Sequence, residues 1–285
     1  MTRLTVTTRD IELLRKLSAY GMLSTKQVNV LIFNSIATTT VLRRLRLLEA
    51  SFYVKRIRGL ESQDVLWVLT EKGALLAEVE VPKRHWSKSL LDHDFKLLQL
   101  RLAMEGCGVS RKWNPEHEIR AIIFKNNNFR DAKQKIIPDG LMSIERDGFK
   151  ESVAVELELH MKSAKRYEEI FRKYAGNKNI PWIWYVAPTK SILKQVLAGW
   201  LKVKAVHRVP YLCMSYLHEV MKDPIQARLI SNDNQRKLGG FWVPEKSESS
   251  AHSPAQGVST QRQKNAEENL KVSTDDHTPI REDVA

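Results

Sequence analysis

The chain has 285 residues, 42% of them hydrophobic, and its 46 lysines and arginines outnumber 33 aspartates and glutamates to give a net charge of +13. This composition is typical of a globular protein with a sizeable core. The positive charge favours a polyanionic partner, with nucleic acid ahead of an anionic membrane surface. The sequence holds no run of about 18 apolar residues, and residues 1–7 lack the apolar core of a signal peptide, so we expect a cytoplasmic protein without membrane insertion. Cys107 and Cys213 are too few for a disulfide framework or a zinc site.

Changes in composition divide the chain into three predicted segments. A proline and a cluster of basic residues at 81–88 separate a first domain, residues 1–82, from a second, residues 88–244. Residues 245–285 are rich in Ser, Gln, Asn and acidic side chains and carry a net negative charge, so we expect a disordered tail. The positive charge therefore belongs to the two folded domains.

Three short helices are predicted in the first domain. The first begins near Thr8 and ends at Gly21, the second is capped by Ser24 or Thr25, and the third runs from about Ala37 to Ala50. Tight turns between short helices favour a helix-turn-helix.

A β-hairpin is predicted after the third helix. Residues 52–57 and 65–70 have strand character, and the segment between them is a polar turn. Thr70 then caps a closing helix. With the three preceding helices, this order predicts a winged helix-turn-helix.

Polar side chains on the third helix and on the wing are candidates for DNA contact. On the helix, the spacing i, i+4, i+7 places them opposite the apolar face. Arginine can bond guanine edges or phosphates, and threonine suits phosphate oxygens or a thymine methyl. The candidates are Thr39, Arg43, Arg46, Lys55, Arg56 and Arg58. The alternatives are a solvated basic face and a protein-docking module.

The second domain is predicted to be a mixed α/β domain with the order α-β-β-β-α-β-α. A first helix starts near Ser89; the predicted strands cover 118–124, 136–144, 151–159 and 181–186, and the later helices 162–174 and 191–201. The sequence contains neither a dinucleotide-binding glycine pattern, nor a P-loop, nor a HExxH motif, so a nucleotide-binding or zinc-protease site is not expected.

Acidic residues interrupt two neighbouring predicted strands. Asp139 precedes a glycine in the first, and in the second a period of two places Glu156 and Glu158 on the face opposite the apolar residues. If the strands pair, Asp139 and Glu156 converge. Clustered carboxylates repel unless a cation joins them, and hard oxygen ligands favour Mg²⁺ or Mn²⁺. Such an ion activates water and stabilises charge on a phosphodiester.

Pro138-Asp139 followed by Glu156-Leu157-Glu158 resembles the core of the PD-(D/E)XK nuclease superfamily. The resemblance implies a restriction-endonuclease-like α/β domain in which the acids bind metal and a lysine stabilises the transition state. Glu158 stands where that lysine is expected, so either Lys162 or Lys165 in the next predicted helix supplies the positive charge, or the site is not that of a conventional nuclease.

The wider arrangement resembles the replication-relaxation family and the MobC class of plasmid mobilization relaxases. It combines the winged helix with His93-Asp94, Pro138-Asp139-Gly140, Glu156-x-Glu158 and a following basic, tyrosine-containing helix, over roughly residues 8–186. The resemblance implies a protein that nicks one strand at an origin of transfer with a divalent metal, alongside accessory and coupling proteins. It further implies the roles of Asp139 and Glu156 as metal ligands, of His93 and Asp94 as contributors from the first helix, and of Glu158 and Lys162 as further catalytic candidates.

Each candidate also has a purely structural interpretation. His93 could cap or pack its helix, Asp94 could oppose the helix dipole, Glu156 and Glu158 could face solvent, and Asp139-Gly140 could form a bulge. We expect Tyr167 and Tyr174 to be core residues rather than nucleophiles. An aromatic strand with Trp182, Trp184 and Tyr185 could stack on bases, but such strands are usually buried.

Three functions follow from these patterns. The first is a site-specific, metal-dependent DNA-nicking relaxase acting on duplex DNA with a nicked or single-stranded region. The second is a non-catalytic DNA-binding regulator of plasmid or phage replication on a decayed nuclease scaffold. The third is a DNA-binding protein whose α/β domain only mediates assembly, which would be supported if the acids lay far apart.

Overall fold

The N-terminal region folds as helices followed by a β-hairpin. The computed structural model describes residues 4–58, 65–81, 88–146, 149–177, 179–231 and 235–242, which lie within one compact unit. The elements of this region are α1 (Thr8–Tyr20), β1 (Leu23–Ser24), α2 (Thr25–Ile32), α3 (Thr38–Ala50), β2 (Val54–Arg58), β3 (Val65–Leu69) and α4 (Glu71–Ala77). In the small sheet, β3 pairs antiparallel with both β1 and β2. This is the arrangement of a winged helix, with residues 59–64 of the predicted wing turn outside the described residues.

Local capping sets the ends of these helices as the sequence predicts. Gly21 ends α1 with a positive φ of 80°. The Ser24 hydroxyl accepts a hydrogen bond from the Gln27 amide at the start of α2, and the Thr70 hydroxyl accepts one from Gly73 at the start of α4. A Cβ on Gly73 would lie 2.1 Å from the Tyr53 carbonyl oxygen, so only glycine allows α4 to approach the hairpin this closely.

The C-terminal region is a mixed α/β layer. It begins with α5 (Lys88–Gly106), β4 (Lys112–Pro115), α6 (Glu116–Asn126), α7 (Phe129–Gln134), β5 (Gly140–Arg146) and β6 (Phe149–Leu157). It continues with α8 (Ala164–Ala175), β7 (Trp182–Ala187), α9 (Lys190–Lys204), β8 (Tyr211–Tyr216), α10 (Leu217–Lys222), β9 (Arg228–Ile230), β10 (Gln235–Lys237) and α11 (Leu238–Trp242). The described strands form a sheet in the order β10-β9-β8-β7-β6-β5-β4. Its centre, β6-β7-β8, is parallel and its flanks are antiparallel.

Helices bury both faces of this sheet. One face, including Val153, Val155 and Leu157, packs with Leu100 and Met104 of α5. The opposite face, including Ala154, packs against α8 and α9. The predicted alternation along β6 is therefore confirmed, although the face that carries the acids is also covered by helices and is not an open, solvated surface.

Helix α5 contributes to two hydrophobic clusters at once. Leu91, Phe95 and Leu98 belong to the cluster of the winged-helix region, whereas Leu100 and Met104 belong to the sheet cluster. Because the helix packs on two sides, its apolar residues are distributed around it rather than along one stripe. The predicted boundary between the domains falls at residues 82–87, which lie outside the described residues, as does the predicted tail, residues 245–285.

The predicted strand at 118–124 is wrong, because this segment is helix α6. Pro115 precedes the helix, Glu116 and Glu118 lie in its first turn, and Glu116 pairs with Arg120 one turn later. The predicted order of elements also leaves out β4, α7 and everything after α9. Strand β5 begins at Gly140, later than the predicted start at residue 136.

Asp10 connects the start of α1 to α3 through a buried ion pair. Its carboxylate accepts hydrogen bonds from the Thr7 amide at 2.7 Å and from Arg44 Nε at 2.9 Å. Burial raises the pKa of Asp10, but the bonds from Arg44 and Thr7 outweigh burial, so the pKa is lowered.

We predict that Asp10→Asn lowers the free energy of unfolding by about 2 kcal/mol at pH 7, because it leaves Arg44 without its buried counter-ion. Since the folded pKa of Asp10 is below the unfolded one, its contribution is present above the unfolded pKa and is lost as the pH falls through the folded pKa. Urea unfolding should therefore show a wild-type advantage at pH 7 that shrinks below about pH 4. The control Glu49→Gln breaks the exposed pair with Arg56 and should cost less than about 1 kcal/mol. Equal losses in the two variants would contradict the prediction.

Candidate functional site

Asp139 and Glu156 meet at the end of the paired strands β5 and β6. The antiparallel register pairs Gly140 with Val155, and its next position sets Asp139 opposite Glu156. The pairing is regular from Gly140 to Arg146, and Asp139 directly precedes the first of these pairs. A Cβ on Gly140 would lie 2.5 Å from the Trp113 ring, which explains the glycine directly after the acid.

The Asp139 carboxylate is held by β6 and by α5. Its Oδ2 atom accepts a hydrogen bond of 2.8 Å from the Leu157 amide and lies 3.3 Å from His93 Nε2. The side chain is 22% exposed, so one side of the carboxylate remains accessible. Asp139 is thus fixed in orientation but not sealed in the core.

His93 carries a positive charge at this site. Its Nε2 donates to the Leu157 carbonyl oxygen at 3.0 Å, and its Nδ1 lies 3.6 Å from an Asp94 carboxylate oxygen. Burial lowers the pKa of His93, but the Asp139 and Asp94 carboxylates outweigh burial and raise it to about 10. The imidazolium therefore contacts both Asp139 and the Leu157 carbonyl at neutral pH. This placement goes beyond the capping or packing role that a lone histidine usually has.

Glu156 is a half-buried carboxyl in a crowded acidic environment. The Tyr174 hydroxyl of α8 donates a hydrogen bond to its Oε1 atom. Burial and then the negative charge of Asp139 raise the pKa of Glu156 well above its usual value. The two acids therefore repel each other across the strand pair.

Glu158 and Lys162 form an ion pair beside these acids. The Glu158 side chain is only 6% exposed, and Lys162 Nζ donates to its Oε2 atom. The Lys162 backbone amide donates to the Tyr167 hydroxyl at 3.2 Å, which fixes the segment ahead of α8. Lys162 lies before α8 rather than within the predicted helix, and Lys165 is exposed on α8. Lys162, not Lys165, brings its charge to the acids.

The aromatic residues around the acids belong to the core. Tyr167, Tyr174 and Trp184 are fully buried, and Tyr185 is 1% exposed, so none of them offers an open face for base stacking. Trp182 is half-buried, stacks near Tyr211 and donates to Glu151. The sequence analysis missed the contact of Tyr174 with Glu156 because the two residues lie on different elements.

The acids offer hard oxygen ligands, but the described part of the chain holds no cluster of three His, Cys, Asp or Glu side chains placed to hold a metal ion. The available donors are the carboxylates of Asp139 and Glu156 and the Leu157 carbonyl oxygen. Two of these three groups contact the His93 imidazolium.

The predicted DNA-contacting side chains lie on the exposed side of the winged helix. Thr39, Arg43 and Arg46 are exposed on α3, while Val41, Leu45 and Leu48 of the same helix are buried. On the hairpin, the exposed basic residues are Lys55, Arg56 and Arg58. Arg56 is paired with Glu49 of α3 at 2.7 Å, so its charge is partly neutralised within the protein.

Among the helices that the structure describes, none combines the length and the apolar character needed to cross a membrane.

No curated protein matches the sequence. Solved structures with local similarity include wild-type apo MarR from E. coli, at 17% identity over 36% of this chain and 70% of that chain, with a TM-score of 0.24. A Lactococcus lactis ZitR variant in complex with DNA matches at 19% identity over 37% of this chain and 68% of that chain, with a TM-score of 0.23.

The restriction endonuclease FokI matches at 11% identity over 78% of this chain and 46% of that chain, with a TM-score of 0.26. TM-scores of this size carry no conclusion about this chain.

The sequence model of the replication-relaxation family, in contrast, matches residues 14–181, from α1 of the winged helix to the residue before β7. This match covers more than half of the 285 residues and includes every acid of the site. The chain therefore belongs to the replication-relaxation family.

Proposed function

We propose that this protein is a site-specific, metal-dependent DNA-nicking relaxase that acts at a plasmid origin of transfer. The observation that carries the proposal is the position of Asp139 opposite Glu156 at the ends of β5 and β6, with the Lys162 ammonium on the neighbouring Glu158. Its partners would be duplex DNA with a nicked or single-stranded region and accessory mobilization and coupling proteins in the cytoplasm. The α/β region would serve as a PD-(D/E)XK-like nuclease domain.

The residues at the site fit Mg²⁺ or Mn²⁺. Two carboxylates and a backbone carbonyl are hard oxygen donors. Burial and then the charge of Asp139 raise the pKa of Glu156, and a divalent cation between the two carboxylates would relieve their repulsion. Asp139 and Glu156 would hold the ion, which when bound would activate water and stabilise the charge of the phosphodiester.

Lys162 is the residue that would replace the lysine missing from the Glu158 position. Its side chain is 43% exposed, and its ammonium contacts the buried Glu158 carboxylate. Glu158 would then position Lys162 rather than act on the substrate. The Leu157 amide and His93 keep the Asp139 carboxylate oriented toward the same end of the strands.

A second candidate is a non-catalytic DNA-binding regulator. It is favoured by Glu158 itself, because the carboxylate neutralises Lys162 in the described geometry. The assembly-only alternative would be supported by acids that lie far apart, and it loses that support because Asp139 directly precedes the Gly140–Val155 pair, next to Glu156. The nicking assay below separates the first two candidates.

The proposed nicking should depend on the two facing acids. With Mg²⁺ or Mn²⁺ and supercoiled plasmid bearing candidate origin DNA, Asp139→Asn and Glu156→Gln should each reduce the nicking rate by roughly 100-fold or more. The control Glu145→Gln changes an exposed acid in β5 that pairs with Arg111 and should nick like the wild type. Equal nicking by all variants would contradict the site; strong DNA binding without nicking by any protein would favour the regulator.

Lys162 and Lys165 are the two candidates for the positive charge that the missing lysine would supply, and each can be replaced by methionine in turn. Lys162→Met should reduce nicking by at least about 10-fold at unchanged DNA affinity, because a group acting on the transition state affects the rate rather than binding. Lys165→Met, which removes an exposed charge three residues later, should have little effect on the rate constant under saturating DNA. A larger loss of nicking rate in Lys165→Met than in Lys162→Met would assign the catalytic positive charge to Lys165.

The winged helix would supply DNA affinity through α3, placed in a major groove. Arg43→Ala and Arg46→Ala should each weaken binding and lower the slope of log affinity against log salt by about 1 for each phosphate that the variant no longer neutralises. Lys194→Ala removes an exposed charge from α9, away from the winged helix, and should leave the slope unchanged. Fluorescence anisotropy with labelled duplex at several salt concentrations measures these slopes, and unchanged slopes in both arginine variants would place recognition elsewhere.

A further inference from the structure

Tyr185 carries a buried hydroxyl that makes no hydrogen bond within the part of the chain that the structure describes. The residue is 1% exposed, so its hydroxyl cannot rely on bulk water for a partner. Folded proteins rarely leave such a group unsatisfied, because its desolvation costs roughly 1–3 kcal/mol. A buried hydroxyl of this kind therefore indicates a missing partner.

The Tyr185 side chain lies on the face of the sheet that carries Glu156. Tyr185 pairs with Glu156 in the parallel register of β6 and β7, which directs the two side chains to the same face of the sheet. Its ring packs against Phe171 of α8, with 5.7 Å between the ring centres. Burial, followed by the negative charges of Glu156, Glu158 and Asp139, raises the pKa of Tyr185 well above its usual value. The phenol is thus a neutral O–H group next to the acidic cluster.

Two other tyrosines at this site already have partners. Tyr174 donates to Glu156, and Tyr167 accepts from the Lys162 amide. These two hydroxyls hold the acids and the segment before α8 in place. Tyr185 differs from both, since its hydroxyl has no hydrogen-bond partner among the described residues.

We propose that Tyr185 is a positioning residue whose hydroxyl hydrogen-bonds the water shell of a divalent cation held by Asp139 and Glu156. A phenol both donates and accepts, so it can accept from a water of the cation while it donates to a carboxylate oxygen. This inference rests on the proposed function. It adds one residue to the proposed metal site, and that residue lies on β7, whereas the acids lie at β5 and β6. It also accounts for a hydroxyl that has no partner among the described residues.

The test measures Mn²⁺ and Mg²⁺ binding by calorimetry, together with thermal unfolding, on the full chain. Tyr185→Phe should leave the Tm of the metal-free protein unchanged or higher, because the substitution removes no hydrogen bond within the protein. The same variant should weaken Mn²⁺ binding by at least about fivefold, as expected for the removal of one hydrogen bond near a charge. It should also reduce the rise in Tm that Mn²⁺ produces.

Tyr20→Phe is the matched control, since Tyr20 donates to Glu105 at 2.8 Å, in a pair outside the site. It should lower the metal-free Tm and leave Mn²⁺ affinity unchanged, the opposite pattern to Tyr185→Phe. Equal Mn²⁺ affinity in wild type and Tyr185→Phe, with weaker binding by Asp139→Asn, would overturn the inference and leave the proposed metal site standing. A fall of several degrees in the metal-free Tm of Tyr185→Phe would also overturn it, because the hydroxyl would then have a partner in the protein. Absence of Mn²⁺ binding by the wild type would remove the metal site and this inference together.

Discussion

The burial of β6 on both faces is the constraint on which the rest of the structure depends. A strand covered by α5 on one side and by α8 and α9 on the other leaves little water for the carboxylates near its end. Charge in such a place is costly unless positive groups or hydrogen bonds compensate it. His93, Lys162 and Tyr174 supply that compensation to Asp139, Glu158 and Glu156 respectively. The elements that carry these three groups are therefore tied to the end of one strand.

Helix α5 links this strand to the winged helix. Its apolar residues enter both hydrophobic clusters, and His93 near its start contacts the acids. Polar contacts join the same two regions, because Arg101 of α5 donates to the Ala19 carbonyl and Tyr20 of α1 donates to Glu105. A helix shared by two cores therefore joins the winged helix to the sheet that carries the acids.

Sequence patterns predict the winged helix well and the α/β region only in part. In α1, α2 and α4 the signals are local: Gly21, Ser24 and Thr70 act on their own backbone neighbours, and the apolar period matches one buried face. The isoleucines of segment 118–124 form a short apolar run that predicts a strand, yet Pro115 and the acids after it start a helix. Short apolar runs do not distinguish a strand from a helix, since either can present such a run to a core.

The sequence by itself determined the two carboxylates that face each other, because the alternation of β6 and the turn between two adjacent strands are local properties of the chain. It also placed Thr39, Arg43 and Arg46 on one side of α3 through helical periodicity. Only the tertiary structure decided which groups surround the acids. The contacts of Tyr174 with Glu156, of His93 with Asp139 and of Tyr185 with the acidic cluster join residues on different elements. Such contacts depend on how helices and strands pack, and no spacing within a single element encodes them.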